Sequence, residues 1–365
     1  MGKSWRIAVI KGIPIYLHWT LGLFLMFFIW FSVNQSQGLE STLIMAGFIF
    51  CLFACILLHE LGHALTALRY GIQTKDIILS PIGGLARLEN IPDNPKQEFI
   101  IAINGPLVNL LIAIILISFL MITGMELTPE LRNGKLNVSK NSFLQLLLVM
   151  NVAVFLFNLI PAFPMDGGRI LRSILSSRIG KTRATFWAAF LGRVIAIGFF
   201  VFAIYNNHLV LGLIGPFIFF VAGREYKQVK LQDLMRKTNI SSLYRSNYTR
   251  LYDHDKIDKV LTPQIEGEFD YLVFDENEKL SGSLPYIFIE EIRKKPSEYD
   301  LIKNIKSKNY STLDIGVSID QAFQVMNKNG VAIIGVTQEN HIIGVIDRPL
   351  IARFISSNSR MSLLG

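Results

Sequence analysis

Cysteine is nearly absent from this sequence, and charged residues are scarce. The 365 residues include two cysteines, Cys51 and Cys55, which fall inside one apolar stretch. Two cysteines so placed supply neither a disulfide framework nor a CxxC metal pair. Charged side chains make up 18% of the chain, against about 25% in a typical soluble domain. The composition therefore excludes a disulfide-stapled scaffold and argues against an ordinary soluble enzyme.

Two further absences narrow the classes of function. No small-residue cleavage site follows the first apolar stretch, so we expect a retained anchor rather than a cleaved signal peptide. The net charge of +8 raises the question of nucleic-acid binding. No basic stripe interleaved with aromatic residues is present, however. We therefore predict that nucleic acid is not a partner.

Long apolar runs are what the sequence does contain. A hydrocarbon core of about 30 Å is crossed by about 20 helical residues. Six stretches reach or approach that length, and we place them near residues 16–34, 43–68, 99–123, 144–161, 185–205 and 208–222. Mixed polar sequence begins at residue 224. We predict an α-helical polytopic membrane protein with six transmembrane helices over residues 1–223, followed by a soluble α/β domain over residues 224–365.

The basic residues between these stretches predict the topology. Twelve Lys and Arg residues lie before the first stretch, between the second and third, and between the fourth and fifth, whereas three lie in the alternate loops. Such an excess marks cytoplasmic loops. We predict a multi-pass protein of the cell's inner or plasma membrane, in contact with lipid, whose N-terminus and C-terminal domain are both cytoplasmic.

The second apolar stretch contains the sequence HELGH at residues 59–63. His59 and His63 are four residues apart, so on a helix they project from one face. Both imidazoles can then bind one Zn²⁺, and Glu60 can act as general base toward the attacking water. A catalytic zinc site needs a third protein ligand and an open position. The motif therefore predicts one zinc ion per chain and another donor elsewhere.

Asp166 is the candidate for that donor. It follows two prolines, Pro161 and Pro164, and precedes Gly167-Gly168, so the chain around it cannot be a regular helix. Irregular backbone at membrane depth is tolerated where it is buried in protein or lines a wet cavity. The alternative is that Asp166 caps the helix that follows. We predict that Asp166 is a zinc ligand.

HELGH in a membrane helix, followed by N-x-x-P-x-x-P-x-D-G-G, resembles the site-2 protease family of intramembrane zinc metalloproteases. The resemblance covers residues 10–225 firmly. It is to the branch of the family that carries CBS domains, which includes the sporulation pro-sigma-factor protease. It implies that His59, His63 and Asp166 bind zinc and that Glu60 is the catalytic acid/base. It also implies that Asn158, Gly83 and Gly84 bind substrate, the two glycines within a loop that we expect to form a β-hairpin. Asn104-Gly105-Pro106 and Asn109 resemble a further family element, which we interpret as helix packing.

The C-terminal sequence has a β-α-β-β-α pattern that ends the chain, with a fainter copy before it. Strands near residues 270–275 and 280–284 and a helix at 286–294 belong to the first copy. The pattern resembles a pair of CBS domains with a degenerate first repeat, and such pairs often bind adenine nucleotides and dimerise. Here Asp347 and Pro285 stand where a nucleotide-binding repeat commonly has a hydroxyl residue. Adenine nucleotide binding and a homodimer are therefore left open, beside a purely structural docking module.

The resemblance implies regulated intramembrane proteolysis. The substrate would be the transmembrane segment of an anti-sigma factor, a pro-sigma factor or another membrane-anchored regulator. Two alternatives stay open: a membrane transporter or channel regulated by CBS domains, and an inactive protease relative that binds membrane proteins. Transport has no need of a general base beside two zinc ligands, and an inactive relative has no need to retain the complete catalytic set.

Overall fold

The chain forms two units, Met1–Tyr226 and Lys227–Gly365, in a computed structural model. The structure describes residues 4–34, 38–81, 83–89, 92–129, 131–132, 135–136, 142–261, 265, 267–294 and 300–361. The division lies within one continuous helix, shortly after the expected boundary at residue 223. The identities of the two domains, a membrane protease followed by a CBS-like pair, stay predictions.

Apolar helices dominate the first unit. In the described residues the helices are α1 (Trp19–Asn34), α2 (Gly38–Arg69), α3 (Pro95–Ile122), α4 (Phe143–Asn158), α5 (Asp166–Ile179), α6 (Lys181–Tyr205) and α7 (Leu209–Lys237), which ends in the second unit. All of them except α5 are apolar. Four of them, α2, α3, α6 and α7, are long and apolar enough to cross a membrane. The other two apolar helices, α1 and α4, have 16 residues each. The count of six spans therefore stays a prediction.

A four-stranded sheet lies in the same unit. Its strands are β1 (Ser4–Ile10), β2 (Ile13–His18), β3 (Thr74–Ser80) and β4 (Gly83–Leu88), in that spatial order. β2 and β3 are parallel, and the other pairs are antiparallel. The expected hairpin is thus present as β3 and β4. A second pairing of two residues each joins β5 (Leu131–Arg132) to β6 (Lys135–Leu136).

The N-terminal strands were not expected from the sequence. The first apolar stretch was predicted to begin a helix near residue 16, but residues 13–18 are strand β2 and α1 begins at Trp19. Ile13 and Ile15 are buried at alternate positions, as in a strand with one covered face. This period of two is hidden because the apolar run continues directly into α1.

The sheet packs on the HELGH turn of α2. Ile13 of β2 and Ile77 of β3 are buried against Leu61 and Ala64 of α2. β4 is the last strand in the order and therefore has one edge not paired within this sheet. The packing holds that edge beside the turn that carries Glu60.

The second unit contains two copies of one arrangement. The first is β7 (Arg250–Tyr252), α8 (Asp258–Leu261), β8 (Tyr271–Phe274), β9 (Leu280–Leu284) and α9 (Tyr286–Lys294), and the second is β10 (Ser311–Asp314), α10 (Ile319–Asn329), β11 (Ile333–Gln338), β12 (His341–Asp347) and α11 (Arg348–Met361). Each copy forms a three-stranded sheet with one parallel and one antiparallel pair. The expected repeat is therefore present, including its fainter first copy.

Candidate metal centre

His59, His63 and Asp166 meet at one point in the first unit. The two histidines lie one turn apart on α2 and are 6% and 5% exposed. Their Nε2 atoms are 3.2 Å apart, and each lies 3.1 Å from Oδ2 of Asp166. The structure thus brings together two ligands from one helix with a carboxylate more than 100 residues further along the chain.

These distances suit a metal ion. Three donors that bind one tetrahedral Zn²⁺ at about 2.0–2.1 Å are separated from each other by about 3.3 Å. Two imidazoles and a carboxylate are also a ligand set that zinc accepts, with a fourth position left for a reacting group. In the part of the chain that the structure describes, one group of three His, Cys, Asp or Glu side chains lies close enough together to hold a metal ion. That group is His59, His63 and Asp166.

Asp166 is placed by a tight loop between α4 and α5. It is the first residue of α5, and the N-cap position is occupied by Met165, whose side chain makes no capping bond. The capping alternative for Asp166 is therefore wrong. A Cβ on Gly167 would lie 2.2 Å from the carbonyl oxygen of Ile160, and one on Gly168 would lie 2.6 Å from the Ala162 carbonyl carbon. Glycine is required at both positions because α5 begins directly against the loop backbone.

Helix α3 supplies a hydrogen-bond partner to the Nδ1 atom of each imidazole. His63 Nδ1 lies 2.8 Å from the carbonyl oxygen of Ile101, and His59 Nδ1 lies 2.5 Å from Oδ1 of Asn109. A Cβ on Gly105 would lie 2.1 Å from Nε2 of His63. The interpretation of Gly105 and Asn109 as helix packing is thus incomplete, because both contact the histidines. The spacing within α3 offered no signal for this, since the contact is made between helices.

Glu60 is held against strand β4. Its Oε2 accepts a hydrogen bond of 2.9 Å from the backbone N–H of Ala86. A Cβ on Gly84 would lie 2.5 Å from Cγ of Glu60. The glutamate therefore lies between the histidine pair on its own helix and the free edge of the sheet. Its position depends on the absence of a side chain at residue 84.

The expected substrate-binding residues are distributed differently. Gly84 contacts Glu60, whereas a Cβ on Gly83 would have no atom within 4 Å. Gly83 has φ +132°, a conformation that favours glycine. Asn158 is the half-buried last residue of α4, and its side chain makes no hydrogen bond with other described residues. A close approach to Glu60 is thus seen for Gly84, and the substrate-binding role of all three residues stays a prediction.

A buried ionic cluster anchors α5, and sequence reasoning missed it. Arg172, counted among the loop charges, lies in α5 and is 1% exposed. Its Nε donates to Oε1 of Glu98 on α3 at 2.7 Å, and its Nη1 donates to Oε1 of Glu225 on α7 at 3.2 Å. A buried arginine is tolerated when it is paired and hydrogen-bonded in this way. The cluster ties the helix that carries Asp166 to two neighbours.

In the second unit, the acidic residue at the expected nucleotide position has structural contacts. Asp347 is fully buried, accepts from the N–H of Leu350 at 2.9 Å and pairs with Arg245 at 3.1 Å. Near Pro285 in the first copy, Asp270 accepts from the N–H of Tyr286, and burial raises the pKa of this carboxyl. Both carboxylates therefore cap helices. Nucleotide binding stays a prediction.

Comparisons with known proteins place this geometry in context. The profile of peptidase family M50 matches residues 47–204. The zinc metalloprotease MJ0392 of Methanocaldococcus jannaschii is 33% identical over 284 residues, which are 78% of each chain. The solved site-2 protease of the same organism is 37% identical, covers 61% of this chain and 95% of its own, and superposes with a TM-score of 0.45. A CBS domain pair of protein MJ0100, solved with 5-methylthioadenosine and S-adenosyl-L-methionine, covers 33% of this chain and 98% of its own at 16% identity and a TM-score of 0.30.

Proposed function

Because this chain belongs to peptidase family M50, the site-2 protease family, and is a zinc metalloprotease of the membrane, we propose that it cuts its substrates within the bilayer. The proposed substrates are the transmembrane segments of membrane-anchored regulators such as anti-sigma factors or pro-sigma factors. The family membership disfavours the transporter alternative. The observation that carries the proposal is the burial of His59, His63 and Asp166 among helices long and apolar enough to span a membrane.

His59, His63 and Asp166 are the proposed zinc ligands, for one ion per chain. The support is their mutual distances of 3.1–3.2 Å and the partners that hold both imidazoles by Nδ1. When bound, zinc supplies Lewis acidity, which polarises a carbonyl and makes water more acidic. Asp166 adds a negative charge, which keeps the site attractive to a divalent cation in an apolar setting.

Glu60 is the proposed catalytic acid/base. It immediately follows a proposed ligand, and its Oε2 accepts a hydrogen bond from the Ala86 N–H of β4. A carboxylate there can take a proton from the attacking water and deliver it to the departing amine nitrogen. The hydrogen bond from Ala86 leaves the other carboxylate oxygen, Oε1, for this transfer.

The free edge of β4 is the proposed place for the substrate backbone, with Gly83 and Gly84 at its start. In an antiparallel strand, N–H and C=O groups of alternate residues point to the same side. The Ala86 N–H points to Glu60 and away from β3, so the groups of Gly84 and Leu88 point the same way. A substrate segment unwound from its helix could pair there as an added strand. Asn158 is proposed to bind the substrate or its oxyanion.

We also propose a membrane topology and a domain organisation for the chain. The first unit would cross an inner or plasma membrane six times, with α1 and α4 as short spans. Residues 1–223 would form the protease domain and residues 224–365 a cytoplasmic CBS-like pair. The support is the loop charge and the repeated strand-helix arrangement of the second unit. Adenine nucleotide binding and homodimer formation through that pair are its proposed regulatory properties.

The proposal is tested by where the substrate is cut. The full chain is reconstituted in liposomes with tagged single-span proteins, and the products are mapped by mass spectrometry, with His59→Ala as the inactive control. Cuts inside the apolar segment that require wild-type enzyme and stop on chelation are expected. Cuts confined to residues outside the bilayer would show that the protease does not act on membrane segments.

Gly105→Ala is expected to weaken zinc binding although residue 105 is not a ligand. The added methyl group would lie 2.1 Å from Nε2 of His63 and must displace the imidazole. Gly198→Ala is the matched control, because a Cβ there meets nothing within 4 Å. The zinc content of both purified variants gives the comparison. Equal zinc content would mean that His63 does not bind the ion in this position.

Gly84→Ala is expected to lower cleavage while zinc stays bound. The methyl group would lie 2.5 Å from Cγ of Glu60 and must displace the carboxylate, but it is not placed against a proposed ligand. A loss in the range of general acid–base catalysis, about 100-fold or more, is expected in kcat. Metal analysis and cleavage assays on the same preparation separate the two effects, with Gly198→Ala again as control. Full activity in Gly84→Ala would contradict the close approach of β4 to Glu60.

A further inference from the structure

Buried side chains form a hydrogen-bonded chain from His59 to a backbone carbonyl on α4. His59 Nδ1 lies 2.5 Å from Asn109 Oδ1, and Asn109 Nδ2 lies 3.0 Å from Asn151 Oδ1. Asn151 Nδ2 in turn lies 2.8 Å from the carbonyl oxygen of Leu147. Asn109 and Asn151 are each 1% exposed. Asn151 Nδ2 also lies 3.5 Å from Sγ of Cys55. With water excluded, the two amides and the imidazole depend on these neighbours for hydrogen-bond partners.

The carbonyl at the end determines the direction of every bond in this chain. The oxygen of Leu147 can only accept, so Asn151 must turn its NH₂ group toward it. The Oδ1 of Asn151 then faces Asn109 and requires a donor, which is the Asn109 NH₂ group. This leaves Oδ1 of Asn109 facing His59, and an amide oxygen can only accept. His59 must therefore carry its proton on Nδ1, and its Nε2 has a free lone pair.

The geometry points to Asn109 and Asn151 as positioning residues that select the metal-binding tautomer of His59. The inference rests on the proposed role of His59 as a zinc ligand. Nε2 of His59 faces Asp166 and His63, and only the tautomer protonated on Nδ1 presents a lone pair there. Asn151 acts at a distance, since it contacts Asn109 and not the imidazole.

The two histidines reach the same tautomer by different routes. His63 donates directly to the carbonyl oxygen of Ile101, whose acceptor character no side chain can change. His59 depends instead on an amide, which can rotate and present either its oxygen or its NH₂ group. An Asn109 amide turned the other way would offer a donor to His59 and favour a proton on Nε2, inside the metal site. Asn151 prevents that rotation by accepting from the Asn109 NH₂ group.

The test is the zinc affinity of the purified full chain in detergent, measured by competition with a chelator. Asn151→Leu is expected to weaken zinc binding by about tenfold, the lower end of the range for groups that support a metal ligand. The matched control is Gln145→Leu, because Gln145 is a buried amide of the same helix, and its Oε1 has no hydrogen-bond partner among the described residues. Circular dichroism verifies that each variant is folded.

A second background makes the test specific to the direction of the hydrogen bonds. In Asn109→Asp the carboxylate has only acceptor oxygens, so it receives the His59 proton whatever lies at position 151. Asn151→Leu is therefore expected to weaken zinc binding in the chain with Asn109 and to have no effect in the Asn109→Asp chain. An equal loss in both backgrounds would indicate packing and overturn the inference. Unchanged affinity of Asn151→Leu with Asn109 present would overturn it as well.

The result also separates this inference from the proposed ligand set. A wild-type chain that binds no zinc would overturn the ligand assignment and the inference together. A wild-type chain that binds zinc through His59, lost in His59→Ala, but is insensitive to residue 151 would overturn the inference alone.

Discussion

Glu60→Gln is expected to abolish cleavage of a membrane substrate and to leave one zinc ion bound. Glutamine keeps the size of the side chain, and its carbonyl oxygen can still accept from the N–H of Ala86. It cannot take up a proton, however, so the general base is lost. A decrease of about 100-fold to 10,000-fold in kcat is expected from general acid–base catalysis. The measurement is product formation from a tagged single-span substrate in co-expressing cells and in liposomes.

Zinc content provides the control for this variant. Because Glu60 is not among the donors of the metal cluster, the zinc content of Glu60→Gln should equal that of the wild type. Activity close to that of the wild type would remove Glu60 from the mechanism. Loss of both zinc and activity would instead indicate that the glutamate supports the metal site.

Asp166→Ala is expected to lose both zinc and activity. The carboxylate is the proposed third ligand, 3.1 Å from Nε2 of both histidines. Removal of a group that merely supports a ligand costs about 10–100-fold in affinity, and loss of a ligand should exceed that range. Zinc content after dialysis and the chelator concentration that removes half of the zinc are the two measurements.

The matched control is Asp233→Ala, which removes an acid paired with Lys237 on the surface of α7. It should retain zinc and activity, since surface ion pairs contribute little to stability. Normal zinc affinity in Asp166→Ala would reject the proposed ligand set. In that case the close contact with His59 and His63 would be an ordinary hydrogen-bonded cluster.

The predictions from sequence succeeded where the signal is local. Apolar runs predicted the long helices, because 20 apolar residues have few alternatives to a membrane helix. The spacing of His59 and His63 predicted a shared face, and both indeed lie on α2 with Nε2 atoms 3.2 Å apart. A hairpin with strands around residues 77–79 and 85–88 was also expected and is present as β3 and β4, and the repeated strands of the second unit are present too.

The failures have two physical causes. Strand β2 was missed because its alternation runs directly into the apolar helix α1. Arg172 was interpreted as a loop charge, although its guanidinium is buried between Glu98 and Glu225. Asn109 was interpreted as packing, although it contacts His59. For Arg172 and Asn109 the deciding partner lies on another element, and spacing along one segment carries no information about it.

By itself the sequence determined that the chain has long apolar helices and that His59, Glu60 and His63 share one helical turn. It also showed the resemblance to a protease family in which the aspartate that matches Asp166 binds zinc. The first two conclusions depend on composition and on the period of one helix, and the third depends on the family resemblance. The tertiary structure decided which groups surround that turn: β4 beside Glu60, and α3 behind both imidazoles. It also placed Asn151 of α4 against Asn109 of α3, the contact on which the proposed control of the His59 proton depends. Such contacts arise only when separate segments pack together, because His59 of α2, Asn109 of α3 and Asn151 of α4 meet only in the folded chain.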